Sequence, residues 1–232
     1  MNRLPSRISA LIYDFDNTIV GTERINEELF GSLLSSEFAV FLSPPEQEIL
    51  HGLPWSGVFD WLDANRGLAE RRAEIWVRFM EVKREWLRRR KPPVATGLDL
   101  MLALPVSQAI VTGSSREELE MVMQAIGMSE ERFSVILCDE DCARGKPDPE
   151  GYLRALERLG VSATEALVFE DSRPGIAAAR MAGITVAFIS ELASRDRGAD
   201  ADARFESFTE AWPAVRERMD GHEGANRAPV SR

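Results

Sequence analysis

Five short apolar runs, each followed at once by polar residues, constrain the fold of this chain more than any other feature of its sequence. They are ISALIY at 8–13, SQAIV at 107–111, FSVILC at 133–138, ALVF at 166–169 and ITVAFI at 184–189. Runs of this length are typical of strands that are buried on both faces. Helical patterns at 116–126, 150–159 and 175–181 separate most of them. This alternation predicts an α/β domain with a doubly wound, parallel, five-stranded sheet.

The segment between the first two runs has a different character. Residues 20–91 show no strand pattern, and helices are predicted instead at 25–38, 45–50, 56–65 and 68–90. Pro92-Pro93 would end the last of these helices. We therefore predict an all-helical cap domain at 20–91, inserted into a core domain made of 1–19 and 92–218. The composition of the last residues, 219–232, is typical of a disordered tail.

Reactive polar groups follow four of the five predicted strands. Asp14 and Asp16 follow the first, Thr112-Gly113-Ser114 the second, a pair of acids the third, and Glu170-Asp171 the fourth. Ligands of open parallel sheets bind outside the carboxyl ends of the strands. Lys146 lies in a further loop, RGKPDP at 144–149, ahead of a predicted helix. Each segment alone is compatible with an ordinary turn, helix cap or surface lysine, but their joint occurrence at strand ends indicates a site.

The residue types in these loops indicate metal-assisted chemistry on a phosphate. Closely spaced carboxylates repel each other unless a cation lies between them, and Mg²⁺ is the usual hard cation beside phosphate. A carboxylate that attacks a phosphate also needs its charge offset. Lys146 provides a positive charge for this purpose. Thr112, Gly113 and Ser114 provide hydroxyl and backbone N–H donors at the start of a helix, where anions commonly bind.

Four segments resemble, in order, the four motifs of the haloacid dehalogenase-like superfamily: LIYDFDNTIVGTE, AIVTGSS, RGKPDPEGY and LVFEDSRPGIAAARMAGI. The resemblance extends to about residue 190, with the helical insertion where the type 1 cap of that superfamily lies. It is similar to the branch of β-phosphoglucomutase and phosphoglycolate phosphatase. The resemblance implies a Rossmann-like core, hydrolysis of a small phosphate monoester through an aspartyl-phosphate, and Mg²⁺ as cofactor.

The resemblance also assigns roles to individual residues. It implies that Asp14 is the nucleophile and Asp16 the general acid and base. Thr112 and Lys146 would bind the phosphate, together with Gly113 and Ser114. The implied ligands of Mg²⁺ are Asp14, Asp16 through its carbonyl oxygen, Asp171 and Glu170.

Two departures from the family pattern favour a phosphatase over a sugar-phosphate mutase. Asn26 stands where the mutase has a histidine. The cap segment HGLPWS at 51–56 aligns with the substrate loop of the family, and Trp55 lies where a mutase would need an arginine for a second phosphate. We expect Trp55 to contact the substrate, with packing inside the cap as the alternative. A mutase on the same core, and a non-catalytic binding protein, stay open as alternatives.

Composition limits the partners of the chain. It carries 28 basic and 38 acidic side chains, a net charge of −10, which argues against general affinity for nucleic acid or an anionic membrane. A small phosphorylated metabolite is the expected partner, and no oligomeric state is indicated. Cys138 and Cys142 are predicted to be reduced thiols in a cytoplasmic protein. The basic residues between Lys83 and Lys91 form either a phosphate-steering patch or a solvated helix face.

Overall fold

The structure, a computed structural model, describes residues 3–51, 53–193, 198 and 200–219. The chain divides into two compact units. The core unit consists of 1–20, 94–116 and 129–232, and the helical unit consists of 21–93 and 117–128. The residues 117–128 were assigned to the core in the sequence analysis, and the domain boundaries given there stay a prediction. Apart from Met219, the predicted disordered tail lies outside the described residues.

A parallel sheet with the strand order β3-β2-β1-β4-β5-β6 forms the centre of the core unit. Its strands are β1 (Ala10–Tyr13), β2 (Ser107–Val111), β3 (Val135–Leu137), β4 (Ala166–Glu170), β5 (Thr185–Ile189) and β6 (Ala203–Phe205). This confirms the predicted α/β fold with a parallel sheet. The predicted count of five strands was wrong, because β6 pairs with β5 as a sixth. With only three residues and one of them a charged arginine, β6 is too short to give a strand pattern in the sequence.

The central position of β1 determines where the site lies. Tyr13, its last residue, is paired with Ile110 of β2 on one side and with Phe169 of β4 on the other. From β1 the chain runs to β2 and β3 on one side of the sheet and then crosses to β4 on the other, so the strand order reverses at β1. Such a reversal is called a topological switch point, and open α/β sheets bind their ligands there. Asp14 directly follows Tyr13 and therefore lies at this point.

Helices cover both faces of the sheet. On one face, Ala10 and Ile12 of β1 share a buried cluster with Tyr152 of α7 (Glu150–Leu159) and Ile176 of α8 (Arg173–Met181). On the other face, the ring of Tyr13 lies 5.7 Å from that of Phe208 in α9 (Phe208–Glu217). The short helix α5 (Leu98–Leu102) packs against α9.

The helical unit contains α1 (Glu23–Glu37), α2 (Pro44–Leu50), α3 (Trp55–Arg66), α4 (Arg72–Arg89) and most of α6 (Arg116–Ile126). The predicted helix at 68–90 is thus shorter than expected, because its first residues form a separate 3₁₀ turn at Ala69–Arg71. α1 and α4 pack side by side. Among the described helices, none has the length and apolar character that crossing a membrane requires.

An aromatic cluster fills the interior of the helical unit, and Trp55 belongs to it. The indole of Trp55 lies 4.7 Å from the ring of Phe79 and 5.1 Å from that of Phe30, measured between ring centroids. Phe59 and Trp76 complete the cluster. Trp55 is half-buried in this arrangement, so its packing role is visible in the structure while its predicted contact with substrate stays a prediction.

Lys83 and Glu118 form a buried ion pair beside this cluster. The Lys83 Nζ atom lies 2.9 Å from Glu118 Oε1, and the two side chains are only 2% and 1% exposed. The Trp55 indole N–H donates to the same oxygen at 3.3 Å. Lys83 is therefore not part of a solvated helix face, whereas Arg88 and Arg89 farther along α4 are exposed. The spacing explains the difference, because Lys83 is four residues from each of two buried positions, at 79 and 87.

We expect Lys83→Met to lower the free energy of unfolding by about 3–5 kcal/mol, because it leaves Glu118 buried without its counter-charge. The double variant Lys83→Met/Glu118→Leu should recover most of that loss. Arg89→Met is the matched control, since the Arg89–Glu85 pair is exposed and its loss should cost at most about 0.5 kcal/mol. Urea unfolding of the four proteins measures these values, and equal losses for Lys83→Met and Arg89→Met would contradict the prediction.

Candidate active site

Asp14 lies at the carboxyl end of β1, where its backbone is held by the neighbouring strand. Its N–H donates to the carbonyl of Phe169 at 3.0 Å, which continues the pairing of β1 with β4. The Asp14 side chain is buried, and its Oδ1 atom lies 2.6 Å from Lys146 Nζ. A predicted nucleophile and a predicted phosphate-binding cation are therefore in direct contact.

The loop after β1 turns sharply, and this turn places Asp16 beside Asp14. Phe15, between the two aspartates, is buried at 1% exposure. Asn17 has a φ of 60°, in the left-handed region that asparagine tolerates better than most residues. Its N–H donates to Val20 O at 2.7 Å and closes the turn. The chain can turn back here because Asn17 adopts a backbone conformation that is more often found for glycine.

The predicted acid/base and the predicted phosphate-binding hydroxyls meet at Asp16. Ser114 Oγ donates to Asp16 Oδ2 at 2.6 Å, and Thr112 Oγ1 donates to the same oxygen at 3.3 Å. The Ser114 N–H in turn donates to Thr112 Oγ1 at 3.0 Å. Gly113 lies between them and is exposed. The loop that follows β2 therefore orients the Asp16 carboxyl group, although the catalytic roles of these residues stay predictions.

The loop that carries Lys146 is fixed by its own backbone contacts. The N–H groups of Ala143 and Arg144 donate to the Glu150 carboxylate at 3.0 and 3.1 Å. The Asp148 N–H donates to Gly145 O at 3.0 Å. These bonds hold both sides of the loop and leave the side chain of Lys146 to extend into the site.

Lys146 lies between two carboxylates. Its Nζ is 2.6 Å from Asp14 Oδ1 and 2.6 Å from Glu170 Oε1. Burial favours the neutral amine, but the charges of Asp14 and Glu170 outweigh this effect, so the pKa of Lys146 is raised well above its usual value. Lys146 is a permanent cation in this site.

Glu170, the last residue of β4, is completely buried and accepts five hydrogen bonds. Its Oε1 accepts from Lys146 and, at 2.9 Å, from the Tyr152 hydroxyl. Its Oε2 accepts from the N–H groups of Asp171 and Ser172, both at 3.1 Å, and from Ser172 Oγ at 2.9 Å. Together these donors fix the orientation of the carboxylate.

Tyr152 and Gly175 are two parts of this arrangement that the sequence analysis missed. A Cβ atom on Gly175 would lie 1.6 Å from Glu170 Oε1, so only glycine leaves room for the carboxylate. Tyr152 lies on the buried side of α7, where an aromatic ring is typical of the core. The sequence contained one indication of its role, because a tyrosine in an apolar helix stripe has a hydroxyl that needs a partner when it is buried.

Three carboxylates of the site can share a metal ion. Asp14, Glu170 and Asp171 each offer an oxygen atom, and these atoms lie within 4.8 Å of one another. Burial is the main reason why the pKa of Asp14 is raised to about 7, with Glu170 and Asp16 adding to the effect and Lys146 opposing it. One lysine thus leaves an excess of negative charge, which a hard divalent cation would balance. Because Glu170 already accepts five hydrogen bonds, Asp14 and Asp171 are the better candidates for direct ligands.

A second group of potential ligands lies in the helical unit, formed by Glu23, Glu27 and His51. Its geometry is different. His51 Nδ1 contacts Glu27, whereas Nε2 on the other side of the ring lies 3.6 Å from Glu23. The two ring nitrogens thus face separate carboxylates, whereas a metal ion needs its ligands to converge on one point.

Comparisons with known proteins give relatives of similar sequence. Validoxylamine A 7'-phosphate phosphatase of Streptomyces hygroscopicus subsp. limoneus is 35% identical over 111 residues, which cover 47% of this chain and 52% of that enzyme. The phosphorylated carbohydrates phosphatase of Thermotoga maritima is 28% identical over 182 residues, covering 76% of this chain and 82% of the relative.

Solved structures agree with the fold. The crystal structure of CbbY from Rhodobacter sphaeroides in complex with phosphate has a TM-score of 0.77 and 24% sequence identity, covering 88% of this chain and 96% of that one. The haloacid dehalogenase-like hydrolase family matches residues 11–189. That range contains all four motifs and well over half of the chain, and we conclude that the protein belongs to the haloacid dehalogenase-like hydrolase family.

Proposed function

We propose that this protein is a Mg²⁺-dependent phosphatase that hydrolyses a small phosphate monoester through an aspartyl-phosphate on Asp14. The contact between Asp14 and Lys146 carries this proposal, because attack on a phosphate needs a carboxylate beside a positive charge, and these two side chains meet at the switch point of the sheet. The two relatives described above are phosphatases by name. A binding protein would have no need for this complete set of reactive groups.

The first chemical step forms a bond between an Asp14 carboxylate oxygen and phosphorus, while the bond from phosphorus to the leaving oxygen breaks on the opposite side. Lys146 offsets negative charge on the phosphoryl oxygens. Thr112, Gly113 and Ser114 orient these oxygens through hydroxyl and N–H donors. Positioning and charge compensation are thus the main contributions of the protein.

Asp16 moves the protons in both steps. It protonates the leaving alkoxide in the first step and removes a proton from water in the second, when water hydrolyses the aspartyl-phosphate. Without substrate, the hydroxyls of Ser114 and Thr112 donate to its Oδ2 atom and orient the carboxyl group. Each hydroxyl has one proton, which turns to a phosphoryl oxygen when substrate binds. The first step thus consumes a proton from Asp16, and the second step returns one.

The residues present fit a divalent metal. Asp14 and Asp171 would hold it through their carboxylates, Asp16 through its carbonyl oxygen, with Glu170 beside it. When bound, Mg²⁺ would offset the repulsion between the anionic nucleophile and the anionic phosphate. The raised pKa of Asp14 supports this assignment, because an ionised carboxylate is unfavourable in this buried position without further positive charge.

The names of the relatives support a proposal for the substrate class. Two of them act, by name, on phosphorylated carbohydrates and on validoxylamine A 7'-phosphate, so we expect a sugar phosphate or a similar polyol phosphate. We favour hydrolysis over a mutase reaction, because Trp55 and Asn26 replace the arginine and histidine that a mutase would use. Cys138 and Cys142 are present as thiols, which supports the proposed cytoplasmic location. The charge of −10 supports a small-molecule partner over nucleic acid.

Asp14→Asn should lower kcat by at least about 10⁴-fold, equivalent to about 5–6 kcal/mol of barrier, because an amide cannot form the acyl phosphate. Phosphate release from a panel of sugar monophosphates with Mg²⁺ measures the effect and tests the proposed function. Asp99→Asn, at an exposed position of α5, is the control and should keep wild-type activity. Asp14→Asn activity within tenfold of wild type, or a phosphate-shifted sugar isomer formed as fast as phosphate, would contradict the proposal.

Asp16→Asn should affect substrates according to their leaving groups. A sugar alkoxide needs a proton to leave, whereas p-nitrophenolate leaves without one. We therefore expect the loss of kcat/KM to be at least about tenfold greater for a sugar phosphate than for p-nitrophenyl phosphate, because kcat/KM reports the first step and not the hydrolysis that both substrates share. Equal losses for both substrates, in the same steady-state assay, would remove Asp16 from the role of general acid.

The raised pKa of Asp14 predicts how metal and pH affect stability. The carboxyl group binds its proton more tightly in the folded protein, with a pKa of about 7 against 3.8 for the ordinary group. Its contribution to the free energy of unfolding therefore falls as pH rises from about 4 to about 7, and stays constant above that. In EDTA, the Tm of Asp14→Asn should fall less than the Tm of wild type when the pH is raised from 5 to 8. Mg²⁺ should raise the wild-type Tm more at pH 8 than at pH 5, and identical pH profiles for both proteins would refute this.

A further inference from the structure

Tyr152 is a buried residue next to the proposed catalytic groups that the mechanism above does not use. Its side chain is completely buried in α7, and its hydroxyl donates to Glu170 Oε1 at 2.9 Å. The same oxygen lies 2.6 Å from Lys146 Nζ. Tyr152 therefore touches the carboxylate that competes with Asp14 for the lysine.

The two oxygens of Glu170 are held differently. Three donors, from the backbone of Asp171 and from the backbone and side chain of Ser172, hold Oε2. Only Lys146 and Tyr152 donate to Oε1 among the described residues. When Lys146 turns to a phosphate, the Tyr152 hydroxyl is the donor that remains on this oxygen.

The hydroxyl of Tyr152 has a fixed partner, because its side chain is completely buried and its donor lies 2.9 Å from Glu170 Oε1. A hydrogen bond to a carboxylate oxygen withdraws part of the negative charge of that oxygen. The oxygen then attracts a cation bound to it, here Lys146, less strongly. Without the hydroxyl, Glu170 Oε1 would pair more tightly with Lys146.

The ring of Tyr152 also contacts the lysine. Lys146 Nζ lies 5.4 Å from the centre of this ring, within the range of a cation–π contact. Phenylalanine at this position keeps the ring, its volume and the cation–π contact. The substitution Tyr152→Phe therefore removes the hydroxyl alone.

We propose that Tyr152 is a positioning residue, whose hydroxyl shares Glu170 Oε1 with Lys146 and thereby keeps the lysine at Asp14, available to phosphate. This inference rests on the proposed function in one respect, namely that Lys146 binds the phosphoryl group. Without the hydroxyl, Lys146 shifts towards Glu170, and the site loses affinity for phosphate and catalytic rate together.

The test compares Tyr152→Phe with Tyr13→Phe. Tyr13 is a matched control, because its buried hydroxyl also donates to a side-chain oxygen, that of Gln108 at 2.7 Å, on the other face of the sheet. Both variants should lose a similar amount of Tm. Only Tyr152→Phe should raise the Kd for inorganic phosphate in the presence of Mg²⁺, measured by calorimetry, by about tenfold, with a similar fall in kcat. An unchanged Kd in Tyr152→Phe, or equal changes in both variants, would overturn the proposal.

A second comparison asks whether Tyr152 acts through Lys146. In a Lys146→Ala background, Tyr152→Phe should have no further effect on the Kd for phosphate, because the lysine that it positions is absent. A tenfold effect that persists in this background would overturn the proposal.

Crystal structures provide a readout that needs neither activity nor phosphate binding. With wild type and Tyr152→Phe crystallised under the same conditions, the distance from Lys146 Nζ to Asp14 Oδ1 should be longer in the variant. An unchanged lysine would overturn the proposal. If wild type hydrolyses none of the phosphate monoesters but the lysine moves in Tyr152→Phe, then the proposed function fails while the positioning role stands.

Discussion

The crowding of negative charge around one lysine is the constraint on which the rest of this site depends. Asp14 and Glu170 are buried, each lies 2.6 Å from Lys146, and Asp171 lies close by. Ions in such a position lose much of their solvation, and only close and well-oriented partners compensate for that loss. The surrounding structure provides these partners. Backbone N–H groups at the start of α8, the Ser172 hydroxyl and Tyr152 fix Glu170, while the turn at Asn17 and the hydroxyls of the β2 loop fix Asp16.

The sheet topology explains why these groups are near one another although they are far apart in sequence. Asp14 and Lys146 are separated by 132 positions. A parallel sheet brings the ends of β1, β2 and β4 to one edge, because every strand runs in the same direction. The strong backbone pairing of central strands then holds the loops in place. The site is thus formed by loops of different composition that are all attached to the same rigid sheet.

The α/β class, the parallel sheet and the family could be predicted from the sequence. Buried strands and motifs each consist of contiguous residues, so they are visible without knowledge of the packing. The sequence also predicted a site that contains Asp14, Asp16, Thr112, Ser114 and Lys146. The structure shows the contacts among them, while their catalytic roles stay predictions. Tyr152 and Gly175 could not be found, since their importance comes from a contact with Glu170 that only the packing of α7 and α8 against β4 creates. Lys83 was misjudged for the same reason. The charge of Lys83 indicated exposure to solvent, because its buried partner, Glu118, lies 35 residues away in the sequence.

The edges of the sheet have a consequence for how the protein behaves at high concentration. The two outer strands, β3 and β6, have only three residues each. In β6 the central residue is Arg204, an exposed cation whose guanidinium lies 4.8 Å from the ring of Phe188 in the adjacent strand. Short edges present few unpaired backbone groups to another molecule, and on β6 the charge of Arg204 adds to this effect. Both features hinder the edge-to-edge association from which β-aggregates grow. The strand that was hardest to detect in the sequence thus protects the sheet against self-association.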